Sequence, residues 1–434
     1  MKVNTVVLQA VLLLLSFVSH AVSQQEIVLG QFSAQTGTNA PLGIQRTVGL
    51  SAAVQQINRW GGVHNGTKLR LLTYDDGDVA AAGIQRGLQL IYNDSVFALV
   101  SCSGTQQVLG VQPSAIAAGV PQIIAIGSPA LRTPYQPYTI SLRANAYDEC
   151  TAAVYFLMGK LHLKRIAILY QNDSFGLPGL VGMTNALASV GMTLAVAGAY
   201  QHLSTDVTEA VEALLSANPP VQAIFFMSIV GPAISATQMM RADPRCPPDV
   251  VFVLNSVITA EVFRSAIDPQ FYSRIYTIQH VPNPSDTSWQ LVRNYQEAMN
   301  AAYPGRPYEF VTLETYMNGR FVAEVFNRMP IISQRNFVET VYATKSFQID
   351  DFMLGMFYGD CVQNVPQCNC SQGGKTVTFH ELLPSGQFQV VKGATFSWPE
   401  TTCMSSPSML RLPFTFAMIG ANKTDGSDAA SGPR

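Results

Sequence analysis

Two short polar runs in this chain have the residue types and spacing to hold an anion. Ser101-Cys102-Ser103-Gly104-Thr105 follows the apolar run Val96–Val100, and Gly127-Ser128 closes the run from Gln122 to Ile126. A strand that ends in small hydroxyl residues and leads into a helix leaves free backbone N–H groups at the helix start, where the helix dipole favours a carboxylate. Ser103 and Thr105 serve equally well as ordinary helix caps. Further along, Gln171-Asn172-Asp173-Ser174-Phe175 and Asn255-Ser256 are polar strand ends of the same kind.

Other chemistry is scarce. In the stretch from Gly61 to Lys68, Thr67 stands where a phosphate-binding loop needs its lysine. Gly30 is followed by Gln31 and Phe32, so the dinucleotide fingerprint is missing. Asp75-Asp76-Gly77-Asp78 begins like a calcium loop, but Arg86 occupies its twelfth position. That run reads as a strand-end turn capping the next helix. HExxH and Gly-x-Ser-x-Gly do not occur, and the six histidines are isolated from one another. No metal, cofactor or catalytic group is expected.

The elements that would position these runs form a long βα alternation. Apolar strand-like runs recur at 27–32, 69–74, 96–100, 122–126, 166–170, 192–197, 223–227, 250–254 and 274–278. Between them lie helical patterns: Leu50, Ala53, Val54 and Ile57 repeat at i, i+3, i+4 and i+7, as do Val154, Leu157, Met158 and Leu161, and Val207, Ala210, Val211 and Leu214. The strands lack polar alternation, which indicates burial on both faces and parallel sheets covered by helices. So many strands exceed one small sheet, and an α/β fold of two doubly wound lobes is expected. The tail differs: 375–382 and 387–391, joined across Pro384-Ser385-Gly386, read as a hairpin.

The chain has 434 residues, 26 Lys and Arg against 28 Asp and Glu, and only 12% charged residues. That balance excludes nucleic-acid binding by bulk basic charge. Lys2 followed by the apolar run 6–18 and by Ala21-Val22-Ser23 reads as a secretory leader cleaved after Ser23. No later run is long enough for a membrane helix, so a secreted protein is expected. Asn65, Asn93, Asn172, Asn369 and Asn422 are glycosylation acceptors by sequence. Of seven cysteines, Cys361, Cys368, Cys370 and Cys403 cluster near the end, where an oxidising route favours disulfides over zinc. Their pairing stays open.

A series of short motifs then carries a resemblance. Thr36-Gly37-x-x-Ala40-x-x-Gly43 follows the first strand, and Ile57-Asn58-x-x-Gly61-Gly62-Val63 ends the first helix. Tyr74-Asp75-Asp76, Ser103-Gly104-Thr105-Gln106, Gly127-Ser128, Arg143 with Asp148, and Phe175-Gly176 follow in order. In this order the motifs resemble the type I periplasmic-binding-protein family over about residues 26–345, closest to its leucine/isoleucine/valine-binding branch, which also forms receptor ligand-binding domains. The tail around Cys368-Asn369-Cys370 resembles, over a short stretch, the ectodomain ends of protozoan receptor-type adenylate cyclases.

The resemblance implies two lobes, three hinge strands and a ligand clamped between them. Lobe one would comprise 24–142 and 282–345, lobe two 143–281 and 346–412 with the disulfide-rich hairpin, leaving 413–434 as a disordered tail. Ser103, Gly104, Thr105, Gly127 and Ser128 would hold a carboxylate. Asp148 falls where receptor relatives place an amine-binding acid, and Phe175 stands in for the usual tyrosine. Ser256 stands at the strand end where many amino-acid binders carry an acid. The family's lobe-one disulfide lacks its partner, since Tyr74–Asp78 contains no cysteine, which leaves Cys102 a thiol. The expected function is binding of a small amino-acid-like ligand, without nucleic acid. Expected partners are a second copy through lobe one and a membrane receptor or transporter. The rival expectation is a ligand-free dimerisation module.

Overall fold

The computed structural model describes residues 26–359 and 370–398. The expectations for the leader, for Asn369 and Asn422, for Cys361, Cys368 and Cys403, and for the tail beyond 398 lie outside the described residues.

The first half of the alternation builds β1 (Glu26–Phe32), α1 (Ala40–Arg59), β2 (Lys68–Tyr74), α2 (Ala80–Tyr92), β3 (Ala98–Val100), α3 (Thr105–Ala117), β4 (Gln122–Ile124) and β5 (Thr139–Ser141). These five strands form one parallel sheet in the order β2-β1-β3-β4-β5. Helix α1 shows why the local sequence folds as it does. Pro41 sits in its first turn, and Leu42, Leu50, Ala53, Val54 and Ile57 form its buried stripe. The helix ends before Gly61 and Gly62, whose φ values of 112° and 90° suit glycine.

The second half builds α4 (Ala146–Tyr155, prolonged by a π-helical turn to Lys160), β6 (Ile166–Gln171), α5 (Leu177–Ser189), β7 (Ala197–Tyr200), α6 (Thr208–Leu215), β8 (Ala223–Met227), α7 (Val230–Ala242), β9 (Val251–Leu254), α8 (Ala260–Ala266) and β10 (Ile275–Gln279). The chain then returns to the first sheet with α9 (Gln290–Ala302), α10 (Phe310–Arg328) and α11 (Gln334–Thr344), and α9 and α10 pack on α1. Gly49 makes the α1–α10 approach close, because a Cβ there would stand 2.1 Å from the Thr312 carbonyl oxygen. The strand pair β11 (Ser346–Ile349) and β12 (Phe352–Gly355) also packs on this side: Phe347 meets the Phe321 ring of α10 at 4.9 Å. The sequence reading assigned residues 346–412 to the second lobe, so the last crossing falls later than expected.

The hairpin β13 (Thr376–Leu382) and β14 (Phe388–Ser397) joins the second sheet antiparallel to β10, giving the order β14-β13-β10-β9-β8-β6-β7. Among the described residues the chain thus passes between the two sheets three times. The first and third crossings lie side by side, with the Ser141 N–H donating to the Ser371 carbonyl and the Gly373 N–H donating to that of Ser141. Strands β8 and β9 are buried along their whole length, as their unbroken apolar sequences require. The strand expected at 192–197 forms later, at β7. Cys370 is buried and disulfide-bonded, while Cys102, Cys150 and Cys246 are free thiols.

Candidate functional site

Both sheets reverse their strand order once, between β1 and β3 and between β6 and β8. Ligand crevices in open α/β sheets lie beyond the strand carboxyl ends at such points. A cavity open to solvent lies there. The lobe-one wall carries Asn39 and Asp78 from the segments after β1 and β2, Gly104 to Gln107 at the start of α3, and Gly127 after β4. The lobe-two wall carries Asp173 and Phe175 after β6, His202 after β7, Ile229 after β8 and Val257 after β9. A second, wider depression around Lys164, Arg165 and Asn218 lies at the opposite edge of the second sheet, away from the converging strand ends.

The start of α3 opens onto the cavity. Gly104 is its cap residue at φ 77°, with no side-chain capping bond, and Thr105 opens the helix facing the cavity. Ser103 lies one layer deeper: its hydroxyl pairs with that of Ser33 at 2.7 Å and accepts from Arg46 Nη1 at 3.2 Å. Ser128 is buried with no hydrogen-bond partner for its hydroxyl. Arg46 lines the cavity although α1 buries it, and its Nη2 donates to the Ala125 carbonyl at 2.6 Å. Burial, and next the neighbouring Arg143 guanidinium, lowers its pKa to about 10, so it stays a cation at neutral pH. Helix N–H groups and a buried guanidinium together favour negative charge at one end of the cavity. Leu42 and Val311 of lobe one meet Phe175 and Val257 of lobe two in an apolar cluster across the cleft.

Of the residues nominated by sequence, Gly104, Thr105, Gly127 and Phe175 line the cavity. Asp148, expected at the ligand amine, stands elsewhere. It closes a capping box at the start of α4, accepting from the Asn145 backbone N–H at 3.0 Å and from Gln372 Nε2 at 2.9 Å. Ser256 belongs to a buried network at the lobe junction. It accepts from Arg143 Nη2 and donates to Glu149, and His280 Nε2 lies 3.0 Å from both its hydroxyl and the Glu149 carboxylate. Burial pushes the Glu149 carboxyl up, but His280 and Arg143 outweigh this and hold it below its usual range. The Asp75–Asp78 turn does not cap the next helix as expected: α2 starts at Ala80 after the cap residue Val79, with no side-chain capping bond, while Asp78 lines the cavity.

Sequence reasoning overlooked Arg46, Asp78 and His202. For Arg46 a signal existed, since it lies midway between Leu42 and Leu50 on the buried stripe of α1, where a charged residue needs a reason. For Asp78 and His202 no local signal exists, because they are 124 residues apart in sequence.

The two-sheet architecture and the interlobe cavity define a ligand-binding protein of the clamshell type. A model of the periplasmic binding protein family matches residues 26–368, and the chain belongs to that family. It is 21% identical over 332 residues to the receptor-type adenylate cyclase ESAG 4 of Trypanosoma brucei brucei, a match that covers 68% of this chain and 27% of the relative. The chain therefore spans about a quarter of that relative's length. It is 27% identical over 172 residues to an amino acid binding protein of Pseudomonas aeruginosa, covering 39% of this chain and 44% of the relative. The crystal structure of a possible leucine/isoleucine/valine-binding protein from Rhodopirellula baltica superposes with a TM-score of 0.77 at 24% identity, covering 85% of this chain and 97% of the other. That likeness shows the fold. No described helix is long and apolar enough to cross a membrane.

Proposed function

We propose that this chain is a secreted binding protein for a small amino-acid-like molecule, held by its carboxylate in the interlobe cleft as the lobes close. The observation that carries the reading is the carboxylate seat: the Gly104-Thr105 helix start and the buried Arg46, both lining a cavity with an apolar wall, with the buried Ser128 beside Gly127. Gly104, Thr105, Gly127 and Ser128 contact the carboxylate, with Ser103 supporting from behind, and Phe175 packs on the ligand body. Asp148 caps α4 and takes no part in binding, and Ser256 supports the lobe junction. The amino acid binding protein of Pseudomonas aeruginosa supports the ligand class, and the leader at 1–23 supports secretion.

Melting curves against an amino-acid panel, each compound beside its decarboxylated amine, test the reading. A ligand at about a hundred times its Kd should add about 2.7 kcal/mol of stability, and its amine should add none. Equal stabilisation by the amines, or none by any member of the panel, would sink it.

A further inference from the structure

Two polar contacts join the lobes at different places along the cleft, and both use groups that can change charge near neutral pH. At the first, His202 Nε2 of lobe two stands 3.2 Å from Asp78 Oδ2 of lobe one, and both residues line the cavity. Asp78 adopts φ 61°, which turns the segment after β2 toward the cleft. The groups facing this pair are Gln107, whose amide is 3.5 Å from the other Asp78 oxygen, Asp76 and Arg46 from lobe one, and Asp173 from lobe two.

At the second contact, Glu261 of α8 in lobe two accepts the backbone N–H of Phe310, the first residue of α10 in lobe one, at 3.1 Å. The residue before it, Glu309, accepts from Gln45 Nε2 at 2.5 Å. Both carboxylates are buried, and in each Oε2 has no hydrogen-bond partner. Arg264 faces both, and Arg306 faces Glu309. Two carboxylates brought together across a dry interface are stable there only while they share few charges.

We propose that lobe closure takes up protons, so that the cleft grips its ligand in mildly acidic surroundings and lets go as the pH rises. The inference rests on the reading that this cleft opens and closes. All three groups act in the same direction. The hydrogen bond to Asp78 raises His202 above its ordinary value, so the pair favours closure fully below about 6.5 and loses that contribution as pH rises through the raised value. Burial, followed by the Glu309 charge, pushes Glu261 up to about 7, and burial pushes Glu309 up to about 6. Opening returns both to water, where carboxylates ionise near 4.3. Closure therefore costs nothing at these two sites below that range and becomes harder as pH climbs to about 7. Between pH 5 and pH 8 the carboxylate pair alone should weaken the closure equilibrium by roughly several hundredfold. The partly exposed His202 adds a smaller share.

Small-angle X-ray scattering of the ligand-free protein from pH 5.5 to 8.5, with circular dichroism alongside, tests this. The radius of gyration should grow with pH in the wild type. Glu261→Gln/Glu309→Gln, which fixes both groups in a neutral form, should stay compact to higher pH, and His202→Ala should open at lower pH. A radius constant across the range with unchanged dichroism overturns the proposal, as does a double variant that opens like the wild type. Because no ligand is present, the outcome is separate from that of the amino-acid panel. A pH-dependent radius with no panel binder would remove the ligand and keep the switch; a constant radius with a binder would do the reverse.

Discussion

Asn145 and Asp148 cap the same helix start reciprocally: the Asp148 carboxylate accepts the Asn145 N–H at 3.0 Å, and the Asn145 side-chain oxygen accepts the Asp148 N–H at 3.2 Å. The exchange satisfies two N–H donors at the start of α4 and fixes the angle at which the chain leaves its first crossing between the lobes. Gln372, from the third crossing, donates to Asp148 as well, so the same carboxylate ties two crossings together.

Asp148→Asn should therefore lower stability by about 1 kcal/mol, the usual worth of a helix cap, and leave ligand affinity unchanged. Chemical denaturation beside calorimetric titration separates the effects. Affinity lost tenfold or more at intact stability would return Asp148 to the ligand.

Gly104 should tolerate no side chain. Its φ of 77° lies where L-residues are strained, and a Cβ would stand 2.0 Å from Gln107 Oε1. Gly104→Ala should cost about 1–3 kcal/mol and weaken carboxylate ligands, because the start of α3 must shift. A variant with unaltered melting temperature and affinity would show that the helix start is free to adapt.

Arg143 bridges the lobes from the first crossing, 3.7 Å from Glu149 of lobe two and 3.5 Å from Glu314 of lobe one. All three side chains are buried. Removing the guanidinium takes a buried cation away from Glu314 and leaves Glu149 with His280 alone, so Arg143→Ala should cost about 3–5 kcal/mol. Urea unfolding measures this, and a loss below about 1 kcal/mol would place the network at the surface in energetic terms.

Cys102 is a buried thiol that burial pushes up to about 12, and Cys150 is likewise raised well above the usual range by burial. Only the thiolate reacts with alkylating agents. At pH 8 both should resist iodoacetamide in the native protein and react once it is unfolded, with peptide mass spectrometry as the readout. Rapid native labelling of Cys102 would contradict its buried, protonated state.

The βα alternation, the hairpin turn at Pro384–Gly386 and the helix start after Ser103 were legible in the sequence. Each depends on periodicity or turn chemistry within a few residues. The capping role of Asp148 was also there, in its spacing of three from Asn145, but a family position competed with it. The side on which β11 and β12 pack had no signal, because an apolar strand pair fits either lobe until α10 supplies Phe321. The site itself was half visible. Gly104, Thr105, Gly127 and Phe175 mark strand ends, and strand ends point to the crevice whatever the order of the strands. Asp78, His202, Glu261 and Glu309 acquire their roles only when the two sheets face each other. Whether a carboxylate or an imidazole is a cap, a surface charge or a contact between lobes depends on its burial and on the charge opposite. Both are set by the docking of segments far apart in the chain, which no local pattern encodes.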